Sequence, residues 1–144
     1  MDFDYRQLDG FTYHIAAAPT DYLRHWLRAE WLVDTSEYPD QAWTREWLDD
    51  LTRLEFRLEV IDLAAVRPRP DLMSYVADGY SFANSLAERV AERLDAIQMG
   101  TSVMPLVVRA ADCELMDGYT RFTALGRLGA RRALAYLGDR VSRT

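Results

Sequence analysis

A short stretch near the end of the chain combines residue types that can hold phosphate. A strand is expected to end just before it, and a helix to begin at about Tyr119. The first N–H groups of a helix lack intrahelical acceptors and lie at the positive end of its dipole, so they form an anion site. Gly118 leaves room for a ligand, Thr120 offers a hydroxyl, and Arg121 offers a bidentate guanidinium. Phosphate binding by Gly118, Tyr119, Thr120 and Arg121 is therefore predicted.

Asp117 lies at the mouth of the same turn. Its carboxylate could hold Mg²⁺ through oxygen, or take a proton from an attacking hydroxyl group. The structural alternative is that Asp117 caps the helix, Gly118 makes the turn and Arg121 is a surface residue. Asp-Gly before a helix is common, so these local features alone favour the structural alternative.

The hydropathy pattern predicts the elements that position this turn. Pro19-Thr20-Asp21 is a helix-start signal, and the apolar residues that follow it have helical spacing. Further along, two prolines between positions 67 and 70 predict a loop, because proline cannot donate a backbone hydrogen bond. Helices and strands mix without strict alternation, which favours an α+β fold. Strands are predicted at 11–15, 57–62, 105–109, 113–116 and 133–137, and helices at 22–35, 40–54, 81–99 and 119–128.

Composition and charge narrow the class of protein. The 144 residues suit a single domain, 1–144, that buries a sizeable core. The chain has one cysteine, and its acidic N-terminus does not look like a signal peptide, so a cytoplasmic protein is predicted. It has no long apolar run, so no membrane partner is expected. Residues 1–66 carry 14 acidic and 6 basic side chains, against 9 and 11 in residues 67–144. The acidic first half makes nucleic acid an unlikely partner, because neutralising phosphate supplies most non-specific affinity.

Two further groups of residues have a structural and a functional interpretation. His14 and His25 are far apart and lack neighbouring ligands in sequence, so both are expected to be structural. Four tryptophans lie on the two acidic N-terminal helices, where packing against the sheet is the default and docking of a protein partner the alternative. The four are Trp26, Trp31, Trp43 and Trp47.

The residues from Asp117 to Ala124, with Leu128-Gly129 further along, resemble the signature of the ParB/sulfiredoxin superfamily. That signature has a glycine, two variable positions, an arginine, then an alanine and a Leu-Gly pair. The strand at Pro105–Val108 and the loop at Arg67–Pro70 also match the order of the family's elements. The resemblance covers about residues 57–138 and implies a small mixed sheet with packed helices, as a core at 56–144 preceded by an N-terminal helical extension at 1–55.

The resemblance also implies a function. Family members bind a nucleotide with its phosphates near the Gly-x-x-Arg turn, which places ATP or CTP with Mg²⁺ at residues 117–121 and adds Arg69 from the entry loop. Phosphoryl transfer from ATP to a small hydroxyl compound, with Asp117 as base or metal ligand, is the leading hypothesis. Sulfinic acid reduction is disfavoured, because the motif holds no cysteine and Cys113 is expected in a strand. A non-catalytic binding module with a degenerate nucleotide site, and a DNA-acting partition or nuclease protein, are the alternatives.

Overall fold

The computed structural model describes residues 3–37, 42–70 and 86–140. The chain begins with an antiparallel hairpin of β1 (Phe3–Leu8) and β2 (Phe11–Ala16). Asp9 and Gly10 connect the strands with φ angles of 52° and 87°, the left-handed conformations that a two-residue hairpin turn requires. The predicted strand at 11–15 is confirmed by β2, whereas β1 was not predicted.

Two helices follow the hairpin, α1 (Pro19–Glu37) and α2 (Ala42–Arg53). The helix start predicted at Pro19 is confirmed. Helix α1 continues to Glu37, past the end predicted at 35, and residues 38–41 lie outside the described residues. Arg24 joins the two helices, because its guanidinium donates to the carbonyl oxygens of Leu51 and Leu54 at 2.8 Å each. The Leu51 bond satisfies a carbonyl in the last turn of α2 that has no intrahelical donor, and the Leu54 bond ties α1 to the first residue of β3.

A four-stranded mixed sheet forms the centre of the molecule. Its order is β3-β6-β4-β5, with β4 and β6 parallel and the other two pairs antiparallel. This sheet with its packed helices confirms the predicted α+β class and the small mixed sheet preceded by a helical hairpin. The strands are β3 (Leu54–Asp62), β4 (Leu106–Arg109), β5 (Glu114–Asp117) and β6 (Arg132–Arg140).

Both faces of the sheet are covered, which fits the near-continuous apolar run in β6. Tyr136 and the other residues of one face pack against α1 and α2, where Trp31 and Trp47 are 3% and 1% exposed. Ala135 and the other residues of the opposite face pack against Leu63 of a short 3-10 turn (Leu63–Ala65) and against α4 (Tyr119–Arg127). The default prediction of core packing is thus confirmed for two of the four tryptophans.

Helix α3 (Leu86–Gln98) packs on α4 through Val90 and Ala124, both fully buried. The first residues of the helix predicted at 81–99 lie outside the described residues. Gly100 has a φ of 86°, and its N–H donates to the Ile97 carbonyl at 2.9 Å, so it caps the end of α3. Within the described residues, no helix is long and apolar enough to cross a membrane.

Residues 68 and 69 have no regular structure, as the prolines predicted, and Arg67 forms an isolated bridge with Glu114 at the edge of β5. Pro70 is already helical, so the prediction of a loop was wrong at that residue. The prediction that Cys113 lies in a strand was wrong. Cys113 ends the turn before β5 with a φ of 59° and is half-buried. Its carbonyl accepts from the Arg67 N–H at 2.8 Å, so this strained turn fixes the loop to the sheet.

Candidate phosphate site at the start of helix α4

The turn between β5 and α4 places a glycine where the helix begins. Gly118 is the N-cap residue, with φ 101° and ψ 29°, and no side chain caps the helix. The carbonyl of Gly118 accepts the first intrahelical bond, from the Phe122 N–H at 2.7 Å. The first-turn N–H groups of Thr120 and Arg121 therefore have neither an intrahelical acceptor nor a side-chain cap. Asp117 does not cap the helix, contrary to the structural alternative.

Glycine is required at position 118 for two reasons. Its φ lies in the left-handed region, where a side chain is strained. A Cβ added there would also lie 2.8 Å from Nη2 of Arg121 and 3.0 Å from Cδ2 of Leu106. The guanidinium of Arg121 therefore packs directly against the glycine backbone, and any substitution at 118 would displace it.

Arg121 is the most unusual side chain of the turn. Its side chain is 12% exposed, and its Nη2 lies 3.2 Å from Oδ2 of Asp117, whose side chain is 21% exposed. The Nε of Arg121 is buried and has no hydrogen-bond partner among the described residues. A buried donor left unsatisfied costs about 1–3 kcal/mol, more when charged, so the site holds a cation whose hydrogen-bonding capacity is incompletely used. Arg121 is thus not the surface residue of the structural alternative.

Tyr119 has a clear structural part in the turn. Its hydroxyl donates to the Leu115 carbonyl at 2.9 Å and accepts from the backbone N–H of Arg69 at 3.0 Å. The side chain thereby ties α4 to β5 and to the loop at 67–70. The guanidinium of Arg69 lies over the ring of Trp47, 5.9 Å from its centroid. Arg69 therefore approaches the turn through its backbone, while its side chain packs on α2.

Groups on the hairpin, α1, α3 and β6 lie close enough to Arg121 for its charge to act on them. Burial lowers the pKa of His14, and the charges of Arg121 and Arg93 lower it further. Burial likewise lowers the pKa of Arg93, with a further contribution from Arg121. The charge of Arg121 also acts on Tyr22 and Tyr136, whose pKa values are raised mainly by burial. The structure thus brings together Asp117, Gly118, Thr120 and Arg121 with two cationic or basic residues that the sequence did not assign to the site.

His14 is held in place by the hairpin and by the segment before β4. The ring nitrogen Nδ1 lies 3.0 Å from Oγ of Ser102, and the backbone N–H of His14 donates to the Val103 carbonyl at 3.0 Å. The ring of Phe3 packs edge-on at 5.1 Å from the imidazole and at 5.6 Å from the ring of Tyr22. An ordered aromatic rim therefore borders the turn on the side of the N-terminal hairpin.

A metal would have few protein ligands here. Among the described residues, no group of three or more His, Cys, Asp or Glu side chains could hold an ion. Asp117 supplies the single carboxylate of the turn. Mg²⁺ is commonly held by one or two carboxylates together with the phosphates of a nucleotide, so Asp117 fits a metal that arrives with its ligand rather than a resident metal.

Comparisons with known proteins bear on the fold. No family model matches the chain, and no curated protein matches it. Two structures of a pNOB8-like ParB N-domain are similar at 18% and 24% identity, with TM-scores of 0.46 and 0.44. They cover 61% and 62% of this chain, which spans 31% and 30% of theirs. Sulfiredoxin from Arabidopsis thaliana is similar at 23% identity, with a TM-score of 0.42, over 56% of this chain and 83% of its own.

These solved structures are ParB N-domains and a sulfiredoxin, the proteins that give their names to the family resembled by residues around 57–138. Their identities lie below 25% and their TM-scores below 0.5, so the likeness concerns the fold and says nothing about activity. The chain also spans about a third of the length of the two ParB N-domain structures. What the protein binds has to be argued from its own site.

Proposed function

We propose that this protein binds the phosphate groups of a nucleotide at the start of α4. The observation that carries the proposal is the buried guanidinium of Arg121, which packs against Gly118 and whose Nε has no hydrogen-bond partner among the described residues. The uncapped first turn adds backbone N–H donors beside it. Backbone donors, a helix dipole and a guanidinium are complementary to phosphate oxygens in both charge and geometry.

Phosphoryl transfer is the reaction that we propose for a bound nucleoside triphosphate. The phosphorus–oxygen bond to the terminal phosphate would break, a new bond would form to the oxygen of a small hydroxyl compound, and the diphosphate would leave. Asp117 is the group that could take the hydroxyl proton or share Mg²⁺ with the phosphates. Its support is its position, 3.2 Å from Nη2 of Arg121 at the mouth of the turn.

Calorimetric titration with ATP, ADP and CTP, with and without Mg²⁺, tests the binding. We expect Arg121→Ala to weaken nucleotide affinity about 10- to 100-fold, the range that a charge-assisted hydrogen bond of about 1.5–3 kcal/mol supports. Arg127→Ala is the matched control, because Arg127 is an exposed arginine in the last turn of the same helix. Absence of binding at millimolar nucleotide, or equal affinities of the two variants, would refute the proposal.

Asp117→Asn then separates binding from the metal and proton roles. The substitution keeps the size of the side chain and removes its charge. We expect nucleotide binding without Mg²⁺ to be retained, because the substitution removes a negative charge that would otherwise repel the phosphates. The gain in affinity that Mg²⁺ gives to wild type should disappear. A variant that keeps the full Mg²⁺ effect would show that Asp117 is not a metal ligand.

A further inference from the structure

A second recess lies on the face of the sheet that packs against α4, at the end where β4 and β6 finish. Its volume is about 350 Å³. Small-molecule sites occupy roughly 300–1,000 Å³, so the recess has room for a ligand of one or two rings. None of the residues from Asp117 to Arg121 lines it. The recess is therefore a place separate from the candidate phosphate site.

The floor of the recess is apolar and belongs to the sheet. Ile61 of β3, Val108 of β4 and Leu137 of β6 line it. Val108 and Leu137 are direct partners across the parallel pair, so their side chains lie on one face of the sheet. Ile61 and Leu137 are half-buried, whereas Val108 is 1% exposed. Part of an otherwise buried apolar surface therefore stays open to solvent here.

Small side chains form the two walls and leave the recess open. One wall follows the 3-10 turn (Leu63–Ala65), and the other is the turn between β4 and β5. The small wall residues are Ala65, Ala110, Ala111 and Cys113. The backbone joins the walls, because the Arg67 N–H donates to the Cys113 carbonyl at 2.8 Å and the Arg67 carbonyl accepts from the Leu115 N–H at 3.0 Å. The recess is thus formed before any ligand enters, which lowers the entropic cost of binding.

An ion pair at the edge of the recess decides which charge a ligand can carry. Arg57 and Asp139 both line the recess, and Nη1 of Arg57 lies 3.2 Å from Oδ2 of Asp139. The Nε of Arg57 lies 3.1 Å from Oε1 of Glu59. An anionic group would meet two carboxylates that already share one guanidinium, and a cationic group would lie beside that guanidinium. An uncharged amide or hydroxyl group can instead donate to Asp139 and accept from Arg57, so the edge favours an uncharged ligand.

We propose that this recess binds a small uncharged molecule, with an apolar ring against Val108 and Leu137 and an amide or hydroxyl group at Arg57 and Asp139. Burial of the ring supplies most of the affinity, because contacts with exposed charged side chains contribute little. The polar group of the ligand supplies the selectivity. Cys113, the single cysteine of the chain, lies in the wall, so its thiol reports on whether the recess is occupied.

Benzamide, benzoate and benzylammonium test the proposal, because they carry a phenyl ring with an uncharged, an anionic and a cationic group. The titration is done at neutral pH and followed by the backbone amide NMR shifts of the isotope-labelled protein. Millimolar benzamide should shift the amides of Val108, Ala110 and Leu137. It should bind about three- to tenfold more tightly than either charged ligand, the range that one net hydrogen bond supports. Tighter binding of a charged ligand, or shifts confined to other parts of the chain, would overturn the proposal.

Filling the recess provides a matched pair of variants. Ala64 and Ala65 are neighbouring exposed residues of the same 3-10 turn, and of the two Ala65 lines the recess. Ala65→Phe should abolish benzamide binding, because its ring takes the space of the ligand, whereas Ala64→Phe should bind benzamide within about twofold of wild type. Equal affinities of the two variants would overturn the site. Arg121→Ala should bind benzamide like wild type, so this proposal and the phosphate site fail independently of each other.

Alkylation of Cys113 by iodoacetamide tests the recess in wild type, without any variant. The half-buried thiol should react, and saturating benzamide should slow the reaction several-fold by covering it. Benzoate at the same concentration is the control and should slow the reaction less. Mass spectrometry of the whole chain measures both rates. An alkylation rate that benzamide leaves unchanged would overturn the proposal, even if Ala65→Phe failed to fold.

Discussion

Replacing Gly118 with alanine tests how the turn is built. At a φ of 101°, a residue with a Cβ is strained by about 1–2 kcal/mol. The new Cβ would also lie 2.8 Å from Nη2 of Arg121, so the guanidinium has to move away from the glycine and from Asp117. Losing one such contact costs about another 1 kcal/mol. We therefore expect Gly118→Ala to lower the free energy of unfolding by about 2–3 kcal/mol.

Gly129 is the matched control for the conformational strain that alanine suffers at a positive φ angle. It follows α4 with a φ of 82°, and a Cβ added there would meet nothing within 4 Å. Gly129→Ala should therefore cost only the conformational strain, about 1–2 kcal/mol. Urea denaturation of the two variants, at equal m-values, measures the difference of about 1 kcal/mol that belongs to the displaced guanidinium.

Nucleotide affinity is a second measurement that distinguishes the Gly118 and Gly129 variants. Gly118→Ala should weaken ATP binding as Arg121→Ala does, since it displaces the same guanidinium, whereas Gly129→Ala should bind like wild type. Two variants of equal stability and equal affinity would refute the reasoning, because the close approach of Arg121 to the glycine would then have no energetic consequence.

Two further comparisons test the core and its ion pairs. Tyr13→Phe should change the free energy of unfolding little, because the buried Tyr13 hydroxyl has no partner at hydrogen-bonding geometry among the described residues and meets only a longer contact with the Leu134 backbone. Tyr136→Phe should lower the free energy of unfolding by about 1–2 kcal/mol, because the Tyr136 hydroxyl accepts from the buried Ala16 N–H at 3.0 Å. A greater loss in Tyr13→Phe, measured by urea denaturation, would contradict this. Arg109→Met should lower the free energy of unfolding by about 2 kcal/mol at pH 7, because four carboxylates within 2.9 Å lose their shared cation. The loss should be smaller near pH 4, because carboxylates that gain protons no longer repel one another. Arg57→Met is the control: it removes two exposed ion pairs and should change the free energy of unfolding little. Equal losses of stability in the two variants would refute a special role for Arg109.

Much of the fold could be predicted because the spacing of apolar residues and the positions of proline and glycine indicate the same element boundaries. The start of α1 at Pro19, the apolar run of β6 and the glycine before α4 each carry a signal within a few residues. Strand β1 lacks an apolar face, since four of its six residues are exposed, so its periodicity is weak. The signal that could have found it is Asp9-Gly10, a dipeptide typical of two-residue hairpin turns.

The site was predictable only in part, for a different physical reason. Asp117 to Arg121 are contiguous, so the turn, the helix start and the guanidinium can be placed together from sequence. Arg93 and His14 lie on α3 and β2, and only the packing of Val90 and Tyr13 brings them towards the turn. No local pattern distinguishes Arg93 from the exposed arginines of other helices, because its burial is a tertiary property.

An excess of acidic residues does not oppose an anion site when the acids are engaged elsewhere. The chain carries a net charge of −6 at pH 7. Arg109 alone gathers four carboxylates between α2 and the β4–β5 hairpin, whereas Asp117 is the carboxylate paired with Arg121. At physiological ionic strength the Debye length is about 8 Å, so exposed carboxylates beyond that distance are largely screened. Among the described residues, Asp117 is the carboxylate that forms an ion pair with Arg121. The guanidinium, the helix dipole and this carboxylate therefore weigh more on the potential that a phosphate meets at α4 than the net charge of the chain does.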